Sequence, residues 1–460
     1  MRIEKDSLGE MTLPDDALYG IQSARAAENF SLGYKRVNKH LIRAMVTVKK
    51  AAAITYKKLA SINTSKDTSK KPNDPDTLDT SKKYSAIIGA CDKILAGAAE
   101  DAFITGALQG GAGTSLNMNV NEVIANVALT VIGKKPGDYG EIHPLDDVNR
   151  GQSTNDVYPT ALRIASIELL RELSGGCAEL QEALQKREQE FAAVKKLGRT
   201  ELMDAVPVTL GEEFGAYAQA IARDRWRLYK AEERLRQVNL GGTAVGLSGN
   251  AEKKYRFMVI EELRELSGIG LAAAEYPMDI TQNNDVFVEV SGLLKALAVN
   301  LMKIANDFRL MNSGPHGGIG ELKLAAMQAG STIMPGKVNP VIPEMVIQTA
   351  IKVMANDYAV TIAASHGEFE LNAFCPLIAD SLLESLSLLN RAVKIFREKC
   401  VETLEADSEK CTALLDASFA FAASYAPHLG YDKVSAIIKE CGGDPAKIKK
   451  ALEVISNLKF

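Results

Sequence analysis

Histidine and cysteine are scarce in this chain, and neither is clustered. It holds five histidines and six cysteines, at positions 91, 177, 375, 400, 411 and 441, with no pair at C-x-x-C spacing. That disfavours a cysteine–histidine zinc site, and the thiols fit a reducing, cytoplasmic compartment. There is no run of about 18 apolar residues, so no membrane span is expected. The opening MRIEKDSLGEMTLP lacks the apolar centre of a signal peptide. Charge of one sign is lacking too. A net charge of −4 gives no electrostatic basis for holding nucleic acid or an anionic membrane. Neither G-x-x-x-x-G-K-S/T nor G-x-G-x-x-G occurs, which removes the common nucleotide fingerprints.

What is present is a large apolar fraction set at the helix period. Of 460 residues, 46% are hydrophobic and 24% charged, the balance of a globular protein with a large core. The length allows two or three domains. Met45 to Leu59 reads as helix. Leu210, Phe214, Tyr217, Ile221, Leu228, Leu235 and Val238 recur at threes, fours and sevens, as do Val290, Leu293, Leu297, Leu301, Ile304 and Phe308. The second set is apolar on nearly every side, which predicts a helix buried among helices. Residues 341–364 and 374–403 behave alike, and shorter helices are expected around 410–425 and 431–457. Long helices without strand alternation predict a bundle, with subunits sharing a core. Residues 61–83 are polar and cannot bury enough apolar surface to order themselves, so they read as an exposed insertion.

Three polar patches interrupt this scaffold. QGGAGTSLNMNVNE (109–122) offers glycines followed by Thr114, Ser115 and Asn117. HPLDDVNRGQSTND (143–156) ends in Ser153, Thr154 and Asn155 ahead of a helix. GSTIMPGKVNP (330–340) sets Ser331, Lys337 and Asn339 between glycines and prolines, with Asn339–Pro340 resembling a helix start. Alone, the first reads as a turn and the second as a helix cap. The third has a density of polar groups and hinges that points to function. Together they suit a small polyanionic ligand, held without metal or cofactor.

These same segments resemble the aspartase/fumarase superfamily. GSTIMPGKVNP is similar to its signature loop GSSxMPxKxN, with Thr332 in place of the second serine. GGAGTSLNMNVNE, HPLDDVNRGQSTND and GRTELMDAVPVTLGEEF (198–214) resemble three further blocks, in order, over nearly the whole chain. The resemblance implies a mainly α, three-domain subunit with a long central helix bundle. Its domains are expected at 1–142, 143–404 and 405–460, in a homotetramer with shared active sites. It implies reversible anti elimination from a succinyl skeleton, giving fumarate. Ser331 matches the general base. Thr114, Ser153, Thr154, Asn155, Thr200, Lys337 and Asn339 match groups that hold the carboxylates and leaving group, and Ser115 and Asn117 stand beside them.

NPVIPE (339–344) resembles aspartases more than fumarases, which favours loss of ammonia from L-aspartate over loss of water from L-malate. An N-substituted aspartate as substrate and a non-catalytic scaffold remain as alternatives. Glu201 stands where fumarases carry histidine, and a carboxylate there suits an ammonium leaving group. Glu344 matches the acid that pairs with that histidine. Facing each other, Glu201 and Glu344 would share a proton. Leu145 and Asp147 depart from the family's HPNDH, GGTAVGLSGN (241–250) departs from GGTAVGTGLN, and His316 stands where arginine is common.

Overall fold

The helix period read from Leu210 to Phe308 governs the structure. The computed structural model describes residues 1–64, 79–249 and 251–456. Residues 65–78 of the polar tract, Asn250 at the end of GGTAVGLSGN, and residue 457 of the last expected helix lie outside the described residues. The fold is mainly α. Its long helices are Lys39–Thr64, Thr80–Leu95, Thr114–Val131, Thr154–Glu190, Leu210–Leu235, Asp285–Met311, Val341–Ser365 and Cys375–Phe396. None of the described helices is long and apolar enough to cross a membrane.

The chain divides into two units. The first comprises Met1–Glu172, Arg227–Lys295 and Lys352–Leu388; the second comprises Leu173–Trp226, Ala296–Ile351 and Leu389–Phe460. Every boundary falls inside one of the last five long helices, so each of these contributes to both units.

In the first unit, helix Lys39–Thr64 packs on helices Thr80–Leu95 and Lys253–Ser267. The seam is aromatic. Tyr56 stacks on Tyr84 at 5.7 Å and on Tyr255 at 4.7 Å, and Arg150 lies 5.0 Å from the Tyr56 ring centre. Buried Glu122 fastens the short helix Ile21–Asn29. Its carboxylate accepts the N–H groups of Gly20 (2.9 Å), Gln22 (2.9 Å) and Ser23 (3.1 Å), and also the Ser23 hydroxyl. These are the donors a helix start leaves without partners.

An ionic cluster in the same unit makes stability depend on pH. Glu384 accepts from Lys35 (2.8 Å), Lys352 (2.9 Å) and the Asn356 amide (2.9 Å). Burial pushes its carboxyl up, but these donors outweigh burial and hold it down at about 2. Between the ordinary 4.5 and that value, the folded protein binds fewer protons here than the unfolded chain. The stabilisation is therefore full above pH 4.5 and lost as pH falls toward 2. Glu384→Gln should flatten this acid limb in thermal unfolding followed over that range. Parallel limbs for variant and wild type would contradict the assignment.

In the second unit, Phe214 packs against Phe191 (5.3 Å), Tyr217 (5.7 Å) and Phe308 (5.4 Å), and Phe308 meets Phe396 at 5.6 Å. Phe214, Tyr217 and Phe308 are among the residues whose spacing predicts the two helices. The last segments have a small core of their own, built from Ala422, Tyr425, Val434, Ile437, Ile448 and Leu452.

Several local features differ from expectation. Four short two-stranded pairings are present among the described residues. Val238 does not extend its helix, which stops at Leu235. It sits in the strand Gln237–Val238, paired in parallel with Ala272–Ala273. The helix expected over 431–457 breaks into Tyr431–Glu440 and Pro445–Ser456. Gly442 and Gly443 take positive φ (63° and 76°), and Pro445 starts the next helix. The helix expected over 374–403 ends at Phe396 in a wider turn, Arg397–Val401. The segment 410–425 splits into helix Ser408–Asp416 and a tighter turn, Ala420–Tyr425.

Candidate active site

In the first unit the glycine patch is built to expose the start of helix Thr114–Val131. Gly111, Ala112 and Gly113 all have positive φ (74°, 56° and 94°), a run that L side chains resist. Gly113 is required twice over, because a Cβ there would overlap the ring of Tyr158. Thr114 is exposed and its hydroxyl donates to the Gly111 carbonyl (2.7 Å), leaving the oxygen free to accept. Ser115 is half-buried beside it. Asn117 is different: it is 2% exposed, and its amide donates to Asn149 Oδ1 at 3.1 Å. It supports the neighbouring loop from within.

That loop is the second patch. Ser153 starts helix Thr154–Glu190 as a capping pair with Asp156. The Ser153 N–H donates to Asp156 Oδ1 (2.9 Å), and Ser153 Oγ accepts the Asn155 N–H (3.2 Å). Pro159 has no N–H for the Asn155 carbonyl, and the Asn239 amide donates to it instead (3.0 Å). Asn155 donates its own amide to the Ala244 carbonyl (2.8 Å). Thr154 is buried. Gly113 against Tyr158 and Asn117 against Asn149 bring the first two patches together.

Two buried charges beneath these patches carry no signal in the sequence pattern. Asp156 also accepts the N–H groups of Gly241 (3.0 Å) and Thr243 (2.9 Å), holding the GGTAVG turn. Burial pushes its carboxyl up to about 6, against the pull of those N–H groups and of Lys49. Lys49 donates to Asn149 Oδ1 at 2.8 Å, and burial pushes its ammonium down to about 7. The altered segment at 143–147 is internally satisfied. His143 Nδ1 accepts the N–H groups of Leu145 and Asp146, while Asp147 binds Lys83 at 3.0 Å.

The second unit carries the loop 330–340, which is closed on itself at its neck. The Gly330 N–H donates to the Lys337 carbonyl (2.9 Å), and the Asn339 amide donates to the Gly330 carbonyl (2.8 Å). Asn339 is therefore a latch across the loop, not a helix cap, and the next helix begins at Val341. Both glycines are needed for this shape. A Cβ on Gly330 would press on the Lys337 carbonyl, and Gly336 has φ 83°. Inside the loop, Ser331 Oγ accepts two backbone N–H groups, from Ile333 (3.2 Å) and Met334 (3.0 Å). Two fixed donors on one hydroxyl oxygen favour its ionised form. Lys337 is exposed.

Thr200 and Glu201 lie at the end of the hairpin Lys195–Thr200/Met203–Thr209 in the same unit. The two turn residues, Glu201 and Leu202, both have positive φ (53° and 64°), without the usual glycine or asparagine. Such geometry costs energy and persists where surrounding structure enforces it. The strand leading into this turn is tied to Glu321, which is fully buried. It accepts from Arg199 (2.9 Å) and Lys196 (2.8 Å), and Lys196 also binds Glu213 (2.8 Å). Thr200 and Glu201 are exposed. Within the chain, Glu344 pairs with Arg309 at 3.9 Å. Lys337, Asn339 and Glu344 line a cavity of about 930 Å3 together with Arg309, Lys323 and Lys410. These last three, distant in sequence, were invisible to the pattern of the loops.

Known proteins resemble this chain over nearly its whole length. The family described as Lyase matches residues 9–355. An aspartate ammonia-lyase of a Bacillus species is 42% identical over 440 residues, covering 96% of this chain and 90% of that protein. One from Pseudomonas aeruginosa is 43% identical over 441 residues, covering 95% and 90%. Among solved structures, a fumarate lyase:delta crystallin from Brucella melitensis superposes with a TM-score of 0.90 at 44% identity, covering 99% of this chain and 98% of that one. A class II fumarase from Schistosoma mansoni gives 0.90 at 30% identity, covering 100% and 96%. With that match over most of its length, the four sequence blocks in register and the shared fold, the chain belongs to the lyase family of the aspartase/fumarase superfamily.

Proposed function

We propose that the protein is an aspartate ammonia-lyase, converting L-aspartate reversibly to fumarate and ammonia. Ser331 takes the proton from C3. The electron pair passes first into the adjacent carboxylate as an enediolate, then forms the C2–C3 double bond as the C2–N bond breaks and ammonia leaves. The observation that carries this reading is the pair of N–H groups on Ser331 Oγ, from Ile333 and Met334. A serine is a weak base unless its ionised form is stabilised, and fixed donors do that without reorganising during reaction.

Lys337 supplies positive charge for the enediolate, whose second negative charge exists only along the reaction path. Interactions that strengthen there raise turnover. Thr114, Ser115, Ser153, Thr154, Asn155, Thr200 and Asn339 hold the carboxylates and orient the amino group, with Asn117 behind them. Glu201, exposed at its hairpin tip, faces the departing ammonium, and Glu344 supports the loop side through Arg309. Lys337→Met is expected to lower kcat by about 10²–10³-fold with a smaller change in KM, by analogy with lost oxyanion donors. An equal rise in KM at unchanged kcat would instead make Lys337 a ground-state binder.

The protein acts as a cytoplasmic homotetramer with active sites shared between subunits. Supporting this, helix Val341–Ser365 leaves Ile351, Tyr358 and Ile362 54%, 69% and 41% exposed in the single chain, and apolar surface of this kind marks an interface. Its cysteines are unpaired, which suits a reducing compartment. The last residues, with their separate core, form a small domain from about 405 onward.

Fumarate absorbs in the ultraviolet and its formation is followed directly. Purified protein given L-aspartate should produce fumarate with an equal amount of ammonia, and L-malate should give none. Fumarate from malate alone would replace this reading with a hydratase.

A further inference from the structure

The 930 Å3 cavity beside the Ser331 loop has a charge balance that the loop alone does not explain. Four cationic side chains line it: Arg309, Lys323, Lys337 and Lys410. Two carboxylates, Glu344 and Asp407, also line it, and both are engaged. Asp407 binds Lys323 at 2.8 Å, and Glu344 faces Arg309 at 3.9 Å. Lys337 and Lys410 make no ion pair within 4.0 Å among the described residues, and Lys410 feels Asp407 only at longer range. The cavity lining is left with two more cationic than anionic side chains, the complement of a ligand with two carboxylates.

The backbone of Lys410 is tied down locally. Its backbone N–H donates to Asp407 Oδ1 (3.0 Å) in the cap of helix Ser408–Asp416. Asp407 is itself fixed, its N–H donating to the buried Glu321 carbonyl (2.9 Å). The stem of Lys410 crosses Gly320, where an added Cβ would stand 3.7 Å from Lys410 Cγ and Cε. Gly320 has φ 68°.

We infer that Lys410 is a substrate-binding residue, its ammonium holding one carboxylate of the dicarboxylate in the cavity that Lys337 and Asn339 also line. The identity of the ligand rests on the ammonia-lyase reading; the charge argument does not. A lysine that binds the substrate equally in ground and transition states sets KM and not kcat.

Two measurements on the full-length protein test this. Calorimetric titration with succinate reports dicarboxylate binding without turnover, and steady-state assay with L-aspartate separates KM from kcat. Lys410→Gln should weaken succinate binding and raise KM by about tenfold each, the scale of one charged hydrogen bond. Its kcat should stay within about twofold, because KM alone reports uniform binding. Lys410→Arg, which keeps the charge, should recover most of the affinity. Unchanged succinate affinity in Lys410→Gln overturns the inference, and so does a fall in kcat with affinity intact. If the wild type binds succinate but forms no fumarate from aspartate, the ammonia-lyase reading fails, and loss of succinate binding in Lys410→Gln still upholds the role of Lys410.

Discussion

Ser331→Ala should lower kcat for fumarate formation by about 10³-fold, within the usual range for removing a general base. The KM for aspartate should change little, since the hydroxyl acts on the C3 proton and not on the carboxylates. The loop itself should survive. Its neck is made by Gly330, Lys337 and Asn339, none of which depends on the Ser331 hydroxyl. What is lost is the oxygen on which the Ile333 and Met334 N–H groups converge. Ser331→Thr keeps that oxygen and should retain measurable activity. Steady-state assay of both variants checks this, and near-normal turnover in Ser331→Ala would remove Ser331 from the chemistry.

Glu321→Ala should be the most damaging change outside the loop. Glu321 is fully buried and carries Lys196, 2% exposed, and Arg199 on its two oxygens. Breaking a buried ion pair from one side costs about 3–5 kcal/mol, because the remaining charge stays buried without compensation. Here Glu213 still binds Lys196, so about 3 kcal/mol is expected. The measurement is urea unfolding at fixed protein concentration, since assembly adds to apparent stability. Glu321→Gln keeps the shape without the charge and should lose less. The functional consequence is local. Arg199, held by Glu321, directly precedes Thr200 and the positive-φ turn at Glu201 and Leu202. A stable Glu321→Ala protein would show that Lys196 and Arg199 find other partners.

The two predictions depend on features of unequal legibility. The long helices are legible because their buried residues repeat at the helix period, as Phe214, Tyr217 and Phe308 do, and these rings meet in the core. The three polar patches could be read because glycine, serine, threonine and asparagine gather there against an apolar background. Ser331 belongs to this legible class. Glu321 does not. Nothing in ELKLAAMQ marks one glutamate as fully buried, and its partners lie more than a hundred residues away in sequence. The same holds for Lys49 beneath Asn149, and for Asp147, whose compensation by Lys83 depends on the 143–147 segment meeting helix Thr80–Leu95.

Local misreadings have equally specific causes. Asn339–Pro340 has the composition of a helix start, but the Asn339 side chain is taken by the Gly330 carbonyl. Val238 continues an apolar period, but the chain leaves the helix at Leu235 to pair with residues 272–273. In each case a tertiary contact overrides a correct local tendency.

The central claim is that Ser331 Oγ exchanges a proton with C3 of the substrate. Fumarate and ammonium in deuterium oxide test it, by nuclear magnetic resonance of the aspartate formed. Wild type should give aspartate carrying one deuterium at C3, in a single stereochemical position, and Ser331→Ala should give none above background over the same time. Deuterated aspartate from Ser331→Ala at the wild-type rate would show that another group moves the proton, and would contradict the account.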